Sequence, residues 1–376
     1  MKAGFKYLVN PLVGCNRDVL KKLEACFSVD RAFRAKYRRS KVLNRVLSEL
    51  ARFDRIRYRS MRDGASLDIP KVFIIGHWRS GTSFLHNLLC RVYPAAYTTT
   101  YQAIFPNNLF AFRGLIKFFM RVFLPRKRPT DAMKMDPDYP QEEELAIGHE
   151  RFFSFYYWFY FPRQAEYMAK EFLYLEDPES KRSKEFCRYY SNFMLRCCLN
   201  KHGEVFISKN PANTARIEAL TQLFPEARFI YLKRDPYETV QSSLFFFRSL
   251  LKGISLQEYE EPEVDRFVVE NYRHLLQAYQ QGKGSIPPGH LIELSYEELI
   301  KNPEEVLSDL TQRLNLGVQA DLSKASDYLV QSSDFPIHKY RFNNTLLKAV
   351  NDQMGDLIVQ QGYRVRKPCM HERLSG

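Results

Sequence analysis

The chain has 376 residues, 45% of them hydrophobic, with only 16 glycines and 19 prolines, so it can bury a large core and is neither collagenous nor disordered. Its 56 Lys/Arg against 43 Asp/Glu leave a net charge of +13, and no internal repeat or low-complexity tract is present. The seven cysteines are odd in number and form no C-x-x-C pair, which argues against a disulfide framework or zinc ribbon and for a reducing, cytoplasmic setting.

At the N-terminus, MKAGFKYLVNPLVGC carries a short apolar run that Asn10 and Pro11 interrupt, a poor signal-peptide core. Residues 1–63 hold 17 Lys/Arg against 6 Asp/Glu, or +11, leaving +2 for the other 313 residues. Phe33, Tyr37, Leu43, Val46, Leu47, Leu50, Phe53 and Ile56 recur at three- and four-residue spacing, which predicts a basic amphipathic helix within an extension over residues 1–65. Two readings stand: a helix packed on the domain with a solvated basic face, or attachment to an anionic membrane surface. Nucleic acid is disfavoured as a partner, because no recognised binding module accompanies the charge.

Residues 71–89, KVFIIGHWRSGTSFLHNLL, read as a buried strand, a turn bracketed by Gly76 and Gly81, and an apolar-faced helix. The turn has the Gly-x4-Gly frame of a phosphate-binding loop, but Thr82 stands where a nucleotide-hydrolysing loop carries its lysine. Backbone amides at a helix N-terminus still cradle an anion. The cation has moved inside the loop, to Arg79.

Residues 97–163 are unusually apolar. Leu109–Leu124 is predicted helical, with Arg113, Lys117 and Arg121 on one side and Phe, Leu, Ile and Val over the rest. The basic block 126–129 follows, and 151–163 (RFFSFYYWFYFPR) is aromatic through most of its length. Neither apolar run reaches the ~20 residues that span a bilayer. They fit a core helix with an apolar strand, the lining of a pocket for an apolar ligand, or an interfacial insertion. Between them, Pro140 followed by Glu142, Glu143 and Glu144 reads as a helix N-terminus.

Val205–Ser208 is a strand closed by Lys209-Asn210-Pro211; a helix over 214–223 leads into a second strand, Arg228–Leu232. This is a βαβ unit with parallel strands. Arg234 follows, and Pro236 opens a helix over 236–251 that carries Ser242. A later strand, Leu291–Leu294, precedes a helical C-terminal part, and residues 337–342 place cations and aromatics in a Pro-led loop.

Arg79-Ser80-Gly81-Thr82 between a strand and a helix resembles the 5′-phosphosulfate loop of the sulfotransferase family, bacterial-type branch. Arg234 after a strand, with Ser242 eight residues on, resembles that family's 3′-phosphate grip. The resemblance covers about residues 70–345. It implies an α/β fold: a P-loop-like, doubly wound parallel sheet with helices on both faces, plus helical N-terminal and acceptor-side insertions. The implied domain spans 66–350, with 97–163 on the acceptor side and a tail over 351–376.

The resemblance implies transfer of a sulfonate from 3′-phosphoadenosine 5′-phosphosulfate (PAPS), without metal, to a hydroxyl. The apolar stretch points to a hydrophobic acceptor such as a sterol, a polyprenyl or quinone lipid, or a phenol. Arg79, Ser80, Gly81, Thr82, Ser83, Arg234 and Ser242 are the implied donor contacts, and Lys339, Tyr340 and Arg341 form a loop able to close over the nucleotide. Arg79 and Lys209 are the implied catalytic cations. Cytosolic members carry Lys-Thr-His at the Lys209 position, the histidine being the base; here proline stands at 211. Other branches use a glutamate from elsewhere, and Pro140-Gln141-Glu142-Glu143-Glu144 resembles the acidic motif of bacterial members, which implies Glu142 first and then Glu144 as the base, with His77 and His338 in reserve. A carbohydrate acceptor fits poorly, because 105–163 is too apolar for a polar groove. A small-molecule kinase needs the missing lysine at 82. A nucleotide-binding scaffold on a membrane fits poorly with an intact Arg79, Lys209, Arg234 and Ser242.

Overall fold

The structure is a computed structural model that describes residues 12–63, 65–125, 135–175, 177–333 and 344–367. Five parallel strands form one sheet: β1 (Lys71–Ile75), β2 (Ala95–Ala96), β3 (Val205–Lys209), β4 (Arg228–Lys233) and β5 (Leu291–Ser295), in the order β2-β3-β1-β4-β5. β1 lies at the centre, with Ile74 opposite Lys209 on β3 and Ile75 opposite Tyr231 on β4.

Strand side chains alternate between two buried faces. Phe73, Ile75, Phe206, Phe229 and Tyr231 pack under the helices Lys181–Asn200 and Ile217–Leu223. Val72, Ile74, Ile207, Ile230 and Leu232 pack under Thr82–Val92 and Pro303–Leu314. The predicted doubly wound sheet is present, and the central strand points its C-terminal end at the Gly76–Gly81 turn.

A second core lies beside the sheet. The helices Pro236–Ile254, Glu261–Gly282 and Asn344–Gln360 surround the aromatic run, and Leu12, Val19, Leu20 and Leu23 of the N-terminal segment join them. Residues 155–159 and 162–164 form 3-10 turns rather than a strand. Ser154 caps the first by accepting from Tyr156 N at 3.1 Å, and Pro162 opens the second, where its missing N–H costs nothing. The rings then face several ways into one core instead of alternating. Asn344–Gln360 crosses the 350/351 boundary drawn from sequence and buries Leu347, Val350, Met354 and Ile358.

The helix predicted over 109–124 begins only at Arg113. The Asp54 carboxylate takes the backbone N–H groups of Leu109, Phe110 and Ala111, and Phe112 adopts φ 58°. Its cations do share one side: Lys117 and Arg121 both pair with Asp138. The basic helix, Arg34–Arg62, packs on the domain through Tyr37, Ser40, Asn44, Ala51 and Asp54. Of the apolar residues used to predict it, Leu43, Val46, Phe53 and Ile56 face outward.

Candidate active site

β1 ends in a turn with three left-handed residues, Gly76 (φ 143°), Arg79 (φ 70°) and Gly81 (φ 93°). Both glycines are required. A Cβ on Gly76 would lie 2.6 Å from the Leu232 carbonyl oxygen, and one on Gly81 would meet the Tyr296 ring at 2.2 Å. Ser80 Oγ donates to the His77 carbonyl (2.8 Å). Thr214 ties the turn to the segment after β3, accepting from Gly76 N at 2.8 Å and donating to Gly76 O at 3.1 Å. Gly81 then caps the helix Thr82–Val92, whose N-terminal amides and dipole favour an anion.

Two residues far along the chain meet this turn. Arg79 Nε donates to Ser242 Oγ at 3.1 Å, and Arg234 donates to the Arg79 carbonyl at 3.0 Å. Arg234 also lies over the Tyr296 ring, 4.7 Å from its centre. Asp235 does not engage Arg234; it caps the next helix through Tyr237 N and Glu238 N and pairs with Arg366 at 2.9 Å. The predicted 3′-phosphate pair and the predicted 5′-loop thus converge.

The third part is Lys209, at the end of β3 and 3% exposed. Its ammonium is ion-paired with Glu142 Oε1, and Glu142 Oε2 accepts from the Tyr156 hydroxyl. Trp78 Nε1, within the anion turn, donates to that same hydroxyl at 3.0 Å. A hydrogen-bonded path therefore runs from the turn through Tyr156 to Glu142 and Lys209. Burial and the neighbouring Glu142 carboxylate hold the Tyr156 phenol well above its ordinary range, so it remains a donor. Sequence reasoning missed Trp78 and Tyr156. The only available signal was a tryptophan inside an otherwise small, polar turn.

The neighbouring glutamates have different surroundings. Glu144, the second choice for the base, is wholly buried and pairs with Arg216 through both oxygens (2.7 and 3.0 Å). It also accepts from Asn210 Nδ2 (3.1 Å) and Phe155 N (2.9 Å), which occupies its lone pairs structurally. His77 is buried, with Nδ1 2.6 Å from the Trp78 carbonyl oxygen and its ring against Tyr272, and burial pulls its pKa down to about 3. That makes it a feeble base near neutral pH. Pro211 opens the 3-10 turn Pro211–Ala215, capped by Asn210. Lys339, Tyr340, Arg341, His338 and the block 126–129 lie outside the described residues. A cavity of about 580 Å³ bordered by Ala169, Tyr174, Ile217 and Asn271 takes no wall residue from the turn or the Lys209–Glu142 pair.

Glu143 is fully buried and accepts from Ser208 Oγ (3.1 Å); burial pushes its carboxyl up to about 7. A folded-state value above the ordinary 4.5 contributes stability that is complete at low pH and lost as pH rises through 7. Glu143→Gln, which has no charge to bury, should therefore gain thermal stability relative to the parent protein between pH 5 and pH 8, by on the order of 3 kcal/mol at most. Thermal unfolding at both pH values checks this. Equal pH dependence in the two proteins would show that the carboxyl is not held protonated.

A parallel α/β sheet whose central strand feeds a lysine-free, arginine-bearing turn at a helix N-terminus defines a class of P-loop-like folds without the Walker lysine. A model of the sulfotransferase family matches residues 70–320, and the chain belongs to that family. It is an enzyme of sulfonate transfer. Among its relatives is the omega-hydroxy-beta-dihydromenaquinone-9 sulfotransferase Stf3 of Mycobacterium tuberculosis, 29% identical over 301 residues, which are 80% of this chain and 76% of the relative. The protein-tyrosine sulfotransferase of Drosophila melanogaster is 22% identical over 155 residues, 40% of this chain and 30% of that one. The crystal structure of sulfotransferase STF9 from Mycobacterium avium shares the fold, with TM-score 0.66, 15% identity and coverage of 92% of this chain and 90% of that one. STF1 from Mycobacterium tuberculosis does so with TM-score 0.59, 16% identity and 90% of each chain covered.

Proposed function

We propose that this sulfotransferase uses PAPS as donor and transfers the sulfonate to a hydroxyl of a hydrophobic, lipid-like acceptor. The observation that carries the donor is the convergence of Arg234 and Ser242 on Arg79, within a turn that has Thr82 where the Walker lysine would stand. The turn fits a 5′-phosphosulfate: two glycines without clearance for a Cβ, small hydroxyl residues Ser80, Thr82 and Ser83, and an eleven-residue helix behind them. Arg234 and Ser242 fit the 3′-phosphate.

PAPS, when bound, supplies a sulfonate on a phosphate leaving group. Arg79 stabilises the charge left on the 5′-phosphate, and it cannot serve as an acid because its guanidinium does not give up a proton. Lys209 has three N–H donors, so it can hold Glu142 with one and a sulfonate oxygen with another. Glu142 receives the acceptor's hydroxyl proton at a carboxylate oxygen as the new O–S bond forms, and the phenol of Tyr156 keeps that carboxylate in place. Glu144 is a positioning residue that holds Arg216 and Asn210.

The acceptor class rests on two supports. The aromatic run Phe155–Phe161 packs into one core and brings its Tyr156 hydroxyl onto Glu142, and the mycobacterial relative acts on a hydroxylated menaquinone. Such an acceptor resides in a membrane, so this reading calls for a bilayer surface as the protein's partner. No helix among the described residues is long and apolar enough to cross one.

3′-Phosphoadenosine 5′-phosphate should raise the melting temperature without added magnesium, by the equivalent of about 2.7 kcal/mol at 100 times its Kd. Adenosine 5′-phosphate should give far less, because each charge-assisted hydrogen bond to the missing phosphate is worth roughly 1.5–3 kcal/mol. Equal shifts from the two nucleotides, or a larger one from ATP with magnesium, would overturn the donor assignment.

A further inference from the structure

The helix Arg113–Phe123 is turned with its apolar side outward. Ile116, Lys117 and Met120 are the buried residues, whereas Phe112, Leu115, Phe118, Phe119, Val122 and Phe123 are each 43–60% exposed. At 100° per residue these exposed side chains form the face opposite the domain. Its inner face is held by Lys117 and Arg121 on Asp138 and by Arg113 on the Asn200 carbonyl (3.0 Å).

The basic helix has the same inverted arrangement. Val42, Val46, Phe53 and Ile56 lie on one outward stripe, opposite Tyr37, Asn44 and Ala51. The two stripes adjoin. Phe53 and Phe112 meet edge to face at 5.8 Å, Tyr58 and Phe110 stack at 5.7 Å, and Asp54 fixes the connecting backbone. An exposed apolar surface of this extent is not an ordinary feature of a solvated face. Its borders are cationic: Arg34–Arg62 carries 11 Lys/Arg and 2 carboxylates, and Arg38 and Arg45 flank one edge of the stripe, Arg39 and Arg57 the other.

We infer that these two helices form one interfacial docking face that seats the protein on an anionic lipid bilayer, with the aromatic helix Arg113–Phe123 inserted among the headgroups and the arginines of Arg34–Arg62 on the lipid phosphates. Charge decides the occupant. A second copy of the chain would bring one cationic helix against another, whereas an anionic surface complements the rim. The helices are too short in apolar length to span and have the apolar face and basic flanks of a helix that lies in the interface. The face is also keyed to the candidate site. Asp138, which takes both Lys117 and Arg121, lies on the same short segment as Glu142, and that segment is bridged at Pro140 to Thr99. A bilayer-seated helix therefore sets the position of the segment that carries Glu142.

Co-sedimentation of the full chain with phosphatidylcholine vesicles, with and without phosphatidylglycerol, tests this. Binding is expected only to the anionic vesicles and should fall as salt rises. Phe118→Ser with Phe119→Ser should weaken it about tenfold or more, at unchanged melting temperature because both side chains are solvent-facing. Arg38→Glu with Arg45→Glu should weaken it and flatten its salt dependence. Failure of the parent protein to bind anionic vesicles, or undiminished binding by the phenylalanine variant, would overturn the inference. So would a dimer in light scattering that the same variant dissociates, because the face would then be a self-interface. Vesicle binding requires neither donor nor acceptor, so its failure leaves the sulfonate-transfer reading standing.

Discussion

Glu142→Gln is expected to cut turnover of an aliphatic hydroxyl acceptor by about 10² or more with the binding of 3′-phosphoadenosine 5′-phosphate retained, and to lower the melting temperature because the buried Lys209 ammonium loses its carboxylate. Glutamine keeps the shape and can still accept from Tyr156, but it takes no proton from an alcohol. Glu142 is half-buried beside Lys209 and reaches solvent, unlike its two neighbours, which are sealed. A phenol already ionised near neutral pH should be spared, because it has no proton to lose. Glu144→Gln should act on stability rather than on turnover. It leaves Arg216 with an uncompensated charge in a fully buried pair, which costs about 3–5 kcal/mol and shows as lost stability. Parallel rate measurements with an aliphatic and a phenolic acceptor separate the two roles. Normal turnover of the alcohol by Glu142→Gln would remove this carboxylate from the mechanism.

Lys209→Ala is expected to lower turnover by about 10²–10³ while the nucleotide product still binds, because the proposed mechanism pairs it with the sulfonate rather than the nucleotide. Arg234→Ala should do the reverse. Loss of a charge-assisted contact worth about 1.5–3 kcal/mol weakens donor binding roughly 10- to 100-fold, and turnover at saturating donor is little changed. The structure separates the two cations clearly. Arg234 is on the helix side of the turn with Arg79 and Ser242, and Lys209 is at the end of β3 with Glu142 and Tyr156. Steady-state kinetics with donor varied, together with calorimetry on the product nucleotide, distinguish the outcomes. An identical defect in both variants would mean that the two cations serve one phosphate.

Much of the proposed donor half of the site was legible along the chain. A strand, a Gly-x4-Gly turn and a helix lie in consecutive residues, so their chemistry and their conformation are specified together; the same holds for β4, Arg234 and the Pro236 helix. The acceptor half was less so. Three successive glutamates look alike in sequence, but Arg216 takes Glu144, Ser208 meets Glu143 in the core, and only Glu142 meets Lys209. Those partners come from β3 and the end of the turn after it, 65 to 72 residues away.

Alternation and helical spacing carried the sheet, because each strand must bury both faces and that demand is written into adjacent residues. Spacing also revealed that Arg34–Arg62 and Arg113–Phe123 are amphipathic. It could not say which side turns inward, since periodicity is unchanged by rotating a helix half a turn. Asp54, Lys117 and Arg121 settle it: their polar contacts with backbone and Asp138 anchor one side of each helix and leave the apolar side out. The anion turn belongs to its own few residues. The Lys209–Glu142–Tyr156–Trp78 path and the outward apolar face come from long-range packing, because each depends on the partner that distant segments of chain bring to it.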